Sequence, residues 1–195
     1  MFIRDRYEGS AEHVRERFAE VRDRVVAAAR TAGGTDGEVE ILVATKYVDA
    51  DGLDVLKEAG VHLIGENRAQ DLVEKQARYG DAFAYDFIGH LQSRKTKVVL
   101  PLVRLIHSVS SLSVVAEIER RAAEPREVLL EVNIGGEETK SGVALEEVDR
   151  FLEAASASPK AVSYTHLRAH ETVLDIVCRL LLEKKKKREK ERKRG

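Results

Sequence analysis

Several features that would place this chain in a special class are scarce or absent. A single cysteine among 195 residues excludes an intramolecular disulfide and is typical of a reducing compartment, so we expect a cytoplasmic protein. No apolar run approaches the roughly 20 residues that a membrane helix needs. The first ten residues, MFIRDRYEGS, carry charges where a secretory signal would have its apolar core. The formal net charge of −1 gives no sign of a polyanionic partner. The composition as a whole is that of a globular domain.

What the sequence does contain is a regular alternation of short apolar runs and longer amphipathic segments. A helix is predicted over residues 11–32, because its apolar residues recur every three or four positions. Five strand and helix units follow it, punctuated by glycines. The predicted strands are ILVATK, VHLIGEN, YDFIGH, RLIHSV and EVLLEVNI. This alternation predicts one domain with a parallel sheet and right-handed crossover helices.

Two folds fit this alternation, an open doubly wound sheet and a (β/α)8 barrel. A doubly wound sheet would have a glycine-rich loop directly after its first strand, but the sequence there is ATKYVDADG. Polar residues instead follow nearly every predicted strand, at the end where barrel active sites are built. These residues are Lys46, Glu66, Asn67, His90, Ser108 and Asn133. We therefore predict the barrel.

Lys46 is the sharpest candidate for chemistry. It follows the apolar run ILVAT, so its amine is expected to project from a strand end into a largely apolar environment. Desolvation there would lower the pKa of the amine and allow it to attack an aldehyde. The alternative is a structural lysine that extends its charge to the surface at the end of a strand. The spacing alone leaves both interpretations open.

Five segments together resemble a known family. ILVATKYV, IGENRAQDLVEK, FIGHLQSRK, IHSVSSL and LLEVNIGGEETKSGV match, in order and at similar intervals, the YggS-like pyridoxal phosphate homeostasis proteins. That family resembles the N-terminal barrel of alanine racemase, and the similarity covers residues 11–160. It implies pyridoxal 5'-phosphate as cofactor, with Lys46 forming the internal aldimine and Asn67 lying beside the cofactor. It also implies a carrier that buffers the cofactor and delivers it to pyridoxal phosphate-dependent apo-enzymes, without established turnover of its own.

The chain departs from the family pattern in two ways. Asp86, Arg94 and Ser110 stand where the family usually has histidine, asparagine and aspartate. The glycine-rich loops that follow the last two strands of the family barrel, and that hold the phosphate, have no counterpart after Ala161. We therefore predict a TIM barrel truncated after about five strands. The first and fifth strands would be open edges, with weak cofactor binding and a tendency to aggregate.

Both ends of the chain resemble translated sequencing adapter. VSYTHLRAHET back-translates to the transposon end and read-two adapter of a common library kit, and MFIRDR is one base from the reverse complement of the same transposon end. We therefore expect residues 1–6 and 162–195 to be artefact, and residues 7–161 to be the partial pyridoxal phosphate-binding barrel. This would remove His166, His170, Cys178 and the basic tail from functional consideration. The remaining chain is acidic, which argues against nucleic-acid binding.

Other motifs give weaker indications. GGEETKSG is unlike a nucleotide-binding loop, which needs glycine directly before its lysine, although Lys140 could still attract a phosphate at the barrel mouth. No metal site is predicted, because the other histidines lack ligand spacing; they are His13, His62, His90 and His107. Charged residues on the helices are expected to be solvated. The competing functions are an amino-acid racemase of the alanine racemase type and a non-catalytic interaction domain in which Lys46 is structural.

Overall fold

The computed structural model describes residues 11–135, 141–165 and 176–180. Six α-helices lie in these ranges: α1 (Ala11–Thr31), α2 (Leu53–Glu58), α3 (Ala69–Tyr79), α4 (Thr96–Val99), α5 (Leu112–Arg121) and α6 (Val148–Ser156). The nine strands are β1 (Val39–Ala44), β2 (Leu63–Glu66), β3 (Ala84–Phe87), β4 (Leu105–Val109), β5 (Arg126–Leu130), β6 (Val132–Asn133), β7 (Val143–Ala144), β8 (Ala161–Thr165) and β9 (Ile176–Leu180). Short 3-10 turns precede α4 and α6 and follow α3.

Seven of the strands form one sheet, in the order β8-β5-β4-β3-β2-β1-β9. Every neighbouring pair from β1 through β5 to β8 is parallel, as strands joined by crossover helices must be. β6 and β7 form a separate parallel pair beyond the end of β5. The five strands predicted from the sequence are therefore confirmed, together with the succession of strand and helix that defines a partial (β/α) barrel.

The prediction of open edges at the first and fifth strands is wrong. β8 pairs in parallel with β5 over five residues, from Arg126 opposite Ala161 to Leu130 opposite Thr165. β9 pairs antiparallel with β1, from Val39 opposite Leu180 to Val43 opposite Ile176. A free strand edge is a template for any extended segment nearby. Segments that we expected to lie outside the fold occupy both edges.

The sheet buries its two faces unequally. One face, with helices α2 to α6 packed on it, forms the large core, and its central side chains are fully buried. The opposite face carries a small apolar cluster of Leu42, Leu63 and Ile88, with Ala44 packed against it. Leu42 and Ala44 are two residues apart on β1, and side chains at that spacing share a face of a strand. The small cluster is thus the concave interior of an arc of barrel.

The first helix is only loosely attached to this core. α1 has the predicted apolar stripe, but none of its residues is buried, and Phe18 is the member of the stripe that packs against the core. Arg15 adds a polar contact by donating a hydrogen bond of 2.9 Å from Nη2 to the backbone oxygen of Glu58 at the end of α2. The helix therefore covers the start of the arc without being enclosed by it.

Candidate functional site

The ends of β1 and β2 open onto one cleft. It has a volume of about 570 Å³ and is lined by the loop after β1 and by the first two turns of α3. Its lining residues are Lys46, Tyr47, Val48, Asp49, Ala50, Asn67, Arg68, Asp71, Glu74 and Lys75. The structure thus brings together the two residues that the family resemblance assigned to the cofactor, Lys46 and Asn67.

Lys46 lies in a more polar setting than its apolar strand predicts. Its side chain is half-buried, and Nζ lies 5.2 Å from the centroid of the Tyr47 ring, which is itself 74 % exposed. A cation at this distance from an aromatic ring is attracted to the ring face. The carboxylates of Asp49, Asp71 and Glu74 line the same cleft. The expected apolar environment of Lys46 is wrong, because residues of α3 and of the loop after β1 supply charges that strand periodicity cannot show.

Asn67 presents a polar atom without a partner. Its Oδ1 is buried and has no hydrogen-bond partner among the described residues. A buried polar group left unsatisfied costs about 1–3 kcal/mol, so a bound donor would relieve that cost. The backbone of Asn67 is closely approached by Gly89 after β3, where a Cβ would lie 2.2 Å from the Asn67 carbonyl oxygen. Only glycine fits there without moving the chain.

Three buried polar residues lie directly behind the cleft. Thr45 and Glu66 are fully buried, and Lys75 of α3 is 3 % exposed although it also lines the cleft. The Lys75 ammonium forms an ion pair with Glu66 Oε1 and donates a hydrogen bond of 2.9 Å to the backbone oxygen of Thr45. The Thr45 hydroxyl donates to the same Glu66 oxygen. We refer to Thr45, Glu66 and Lys75 as the buried triad.

The buried triad was missed by the sequence reasoning, which treated charged helical residues as solvated. That expectation is wrong for Lys75. The signal was present in the helical period, because Ala69, Leu72 and Lys75 are spaced by three and all three are buried. A lysine on the buried stripe of a helix needs a partner, and Glu66 supplies it.

A second charged group lies on the concave face, away from the cleft. Asp86 of β3 is fully buried and accepts two hydrogen bonds of 3.1 Å from the Arg104 guanidinium and lies 2.9 Å from His107 Nε2. Arg104 also pairs with Glu40 at 2.6 Å. Burial raises the pKa of Asp86, but the hydrogen bonds from His107 and Arg104 outweigh it and hold that pKa below its usual value. Of the three departures from the family pattern, Asp86 is therefore fully accommodated.

The other two departures are on the periphery. Arg94 is exposed and donates a hydrogen bond of 3.0 Å from Nε to Oε1 of Gln92. Ser110 is half-buried in the turn before α5, next to Ser111, which caps that helix. Nothing in either position explains why this chain differs from the family.

Of the remaining polar residues at strand ends, one makes a buried structural hydrogen bond and the others lie away from the cleft. Ser108 is buried and donates to the backbone oxygen of Gly89, so it joins the ends of β4 and β3. His90 is exposed, and Asn133 lies in the small β6–β7 pair. Neither lines the cleft. Lys140, His166 and His170 lie outside the described residues. Cys178 lies in β9.

The described residues contain neither a candidate metal cluster nor a candidate membrane span. Over 11–135, 141–165 and 176–180, no three or more histidine, cysteine, aspartate or glutamate side chains are grouped as a metal ion would require. No helix in those same ranges is long and apolar enough to cross a membrane.

The residues present fit pyridoxal phosphate in part. Lys46 offers a primary amine at the cleft, and Asn67 offers a buried oxygen that a ligand could satisfy. Arg68 adds a further cation at the cleft wall, besides Lys75 in its ion pair with Glu66. Against a phosphate group stand the carboxylates of Asp49, Asp71 and Glu74, which repel an anion. The described cleft therefore contains a primary amine and one unsatisfied polar side chain, but its carboxylates make it a poor phosphate site.

The chain is a partial (β/α) barrel with a lysine just after its first strand, and comparison with known protein families shows which family it belongs to. Residues 50–177 match the family of the alanine racemase N-terminal domain, and the chain belongs to that family. The match begins four residues after Lys46 and continues past Ala161, so it neither covers the lysine nor marks the expected boundary.

Within this family, curated relatives include proteins named pyridoxal phosphate homeostasis protein. The Aquifex aeolicus protein is 35 % identical over 142 residues, which are 71 % of this chain and 62 % of the relative. The Escherichia coli K12 protein is 31 % identical over 150 residues, 73 % of this chain and 64 % of the relative. This chain thus spans somewhat less than two thirds of the length of these relatives.

Solved structures agree on the fold. The crystal structure of an unknown protein from Bifidobacterium adolescentis superposes with a TM-score of 0.69 at 31 % identity, covering 84 % of this chain and 74 % of that one. PipY of Synechococcus elongatus, solved with pyridoxal phosphate bound, has a TM-score of 0.67 at 21 % identity, covering 82 % and 72 %. At that identity, PipY supports the barrel architecture alone.

Proposed function

We propose that the protein represented by this chain binds pyridoxal 5'-phosphate covalently through Lys46 and serves as a cofactor carrier. The observation that carries the proposal is that Lys46 and Asn67, whose buried Oδ1 has no partner among the described residues, line one cleft at the carboxyl ends of β1 and β2. Two further facts support it. The chain belongs to the alanine racemase N-terminal domain family, and curated relatives are named for pyridoxal phosphate homeostasis.

Each residue has a distinct part in this proposal. When bound, pyridoxal phosphate would supply an electrophilic aldehyde that a lysine amine can attack. Lys46 provides that amine and fixes where the ligand is held. Asn67 orients the ligand through its side-chain amide, and the exposed ring of Tyr47 lies beside the Lys46 ammonium.

Retention of the cofactor by this chain is expected to be weak. Carboxylates of Asp49, Asp71 and Glu74 line the cleft, and a phosphate group carries up to two negative charges. Like charges within a few ångströms disfavour binding. The carrier function is thus proposed for a protein with a completed barrel, and a reduced form of it for the chain itself.

The carrier proposal implies no catalytic turnover, a cytoplasmic location and pyridoxal phosphate-dependent apo-enzymes as recipients. Because the family is that of the alanine racemase N-terminal domain, the alternative function is an amino-acid racemase of the alanine racemase type. Incubating the chain and cofactor with L-alanine and measuring D-alanine separates the two functions. Accumulation of D-alanine that depends on Lys46 would replace the carrier proposal with the enzymatic one.

Covalent labelling tests the proposal directly. The chain is incubated with an excess of pyridoxal phosphate, reduced with borohydride and digested, and the pyridoxyl group is located by peptide mass mapping. We expect the label at Lys46 and its loss from that peptide in Lys46→Ala. Lys57→Ala removes an exposed lysine of α2 and is the matched control. A label spread over exposed lysines, with no preference for Lys46, would reject the proposal in favour of a structural Lys46.

We further propose that residues 1–6 and 162–195 derive from sequencing adapter. The support is the back-translation of VSYTHLRAHET and MFIRDR. Re-amplifying the source DNA outward across the codon for Ala161 tests this. A reading frame that continues into further strands supports the artefact, and a genomic codon series for VSYTHLRAHET contradicts it.

A further inference from the structure

The buried triad joins the two backbone positions from which the site residues project. Thr45 directly precedes Lys46, and Glu66 directly precedes Asn67. The Thr45 amide also donates a hydrogen bond of 3.0 Å to the Gly65 carbonyl, so the ladder between β1 and β2 extends to the residue before Lys46. Displacing any member of the triad therefore displaces the peptide units that carry the site.

Lys75 connects this pair of strand ends to α3. Its ammonium contacts Glu66 Oε1 and the Thr45 carbonyl oxygen at once, although Lys75 lies nine residues beyond Glu66 and thirty beyond Thr45. The hydroxyl of Tyr85 donates a hydrogen bond of 3.3 Å to the Lys75 backbone oxygen. Burial, and after it the charge of Glu66, raise the pKa of Tyr85 to about 12. The helix, both strand ends and β3 thus meet at this lysine.

The charge of Lys75 is required where it lies. Glu66 is fully buried, and its second oxygen, Oε2, has no hydrogen-bond partner among the described residues. Without the Lys75 ammonium, the Glu66 carboxylate would be a buried and uncompensated charge. A cation engaged by two acceptors and 3 % exposed is not itself a nucleophile. Lys75 lies in the cleft wall, so its contacts can hold the neighbouring site residues in position.

We infer that Lys75 is a positioning residue, which acts through Glu66 and Thr45 to fix Lys46 and Asn67 relative to each other in the cleft. The inference rests on the proposed function, because it concerns the same site. Displacing a reacting group by about 1 Å can lower its rate on the order of 100-fold. Loss of the Lys75 contacts with Glu66 and Thr45 should therefore reduce the reaction of Lys46 with the cofactor far more than it reduces folding.

The test compares Lys75→Met with Lys57→Met in the full chain. Lys57 is exposed on α2, so its substitution removes the same charge without touching the triad. The rate of borohydride-trapped labelling at Lys46 is measured per folded chain, with far-ultraviolet circular dichroism as the measure of folding. We expect Lys75→Met to label at least about tenfold more slowly than Lys57→Met. The circular dichroism induced in the absorption band of the bound cofactor should also weaken or change sign.

Each outcome is decisive. Equal labelling rates and equal induced circular dichroism in the two variants would overturn the inference and leave the proposed function standing. If Lys75→Met does not fold, the double variant Glu66→Gln with Lys75→Met removes both buried charges and, with them, the Lys75 contacts. Unchanged labelling in that double variant would overturn the inference too. If the unaltered chain takes no label at Lys46, the proposed function fails. The positioning role of Lys75 is then tested by amide hydrogen exchange at residues 45–48 and 66–68, which must accelerate in Lys75→Met.

Discussion

Replacing Asp86 with asparagine tests the charged network on the concave face. The substitution keeps the size of the side chain but removes the charge that faces Arg104 at 3.1 Å and His107 at 2.9 Å. Removing one partner of a buried ion pair costs about 3–5 kcal/mol when it orphans the other. Arg104 is 35 % exposed and keeps its contact with Glu40, so it is not orphaned. We therefore expect Asp86→Asn to lower the free energy of unfolding by about 2 kcal/mol, near the value of a hydrogen bond to a charged group.

Urea denaturation monitored by circular dichroism at neutral pH measures this difference. Asp51→Asn is the matched control, because Asp51 is 82 % exposed in its pair with Arg78. Exposed pairs of that kind contribute about 0–1 kcal/mol. If Asp86→Asn costs no more than Asp51→Asn, the argument that this network is a buried and cooperative unit is refuted. Asp86→His, which restores the residue usual in the family, should be more destabilising still because it sets an imidazole against Arg104.

The same network predicts how stability depends on pH. The pKa of Asp86 is lowered in the folded chain from its ordinary value of 3.8. A carboxyl with a lowered folded-state pKa contributes stability above its unfolded-state pKa and loses that contribution as the pH falls through the folded-state value. The stability difference between the unaltered chain and Asp86→Asn should therefore be constant above about pH 5. It should shrink as the pH falls below 3.8, and a difference that grows on acidification would contradict the assignment.

Two further substitutions follow from close packing. Gly89→Ala should lower the free energy of unfolding by about 1–3 kcal/mol and slow labelling at Lys46, because its new Cβ meets the backbone of Asn67; unchanged labelling would show that this contact does not set the site. Leu72→Ala, at a fully buried position of α3, should cost about 2–5 kcal/mol in urea denaturation. Leu112→Ala, 46 % exposed on α5, is its control and should cost far less, and equal losses would show that the described core is wrong.

Much of the partial barrel could be predicted, because its strands and their parallel pairing depend on residue patterns over short stretches of sequence. Apolar runs of four to six residues between glycines fix the strands, and connections of one helix each require parallel neighbours. Carboxyl ends of parallel strands lie at one edge, so Lys46 and Asn67 were expected at the same end of the sheet, and both line one cleft there. The barrel class was reached in the same way, from polar residues that follow the strands.

The parts that could not be predicted depend on contacts between distant segments. The ion pair of Glu66 with Lys75 and the contact of Asp86 with Arg104 join side chains whose spacing follows no simple period. Lys75 could have been found as a lysine on a buried helical stripe, whereas Arg104, in the loop before β4, carries no such signal. The pairing of β8 and β9 at the sheet ends was missed for another reason. Edge pairing relies on backbone hydrogen bonds, which sequence constrains weakly.

The antiparallel pairing of β9 with β1 has a consequence for completing the barrel. In a closed (β/α)8 barrel, the first strand pairs in parallel with the last. Here that side of β1 is already occupied by β9 over five residues. A strand has only two sides, so a longer chain that kept residues 176–180 and added a final barrel strand would have to expel those residues from β1 first. β1 can therefore pair on this side either with β9 or with a final barrel strand, but not with both. In a chain that contained both segments, the two pairings would compete.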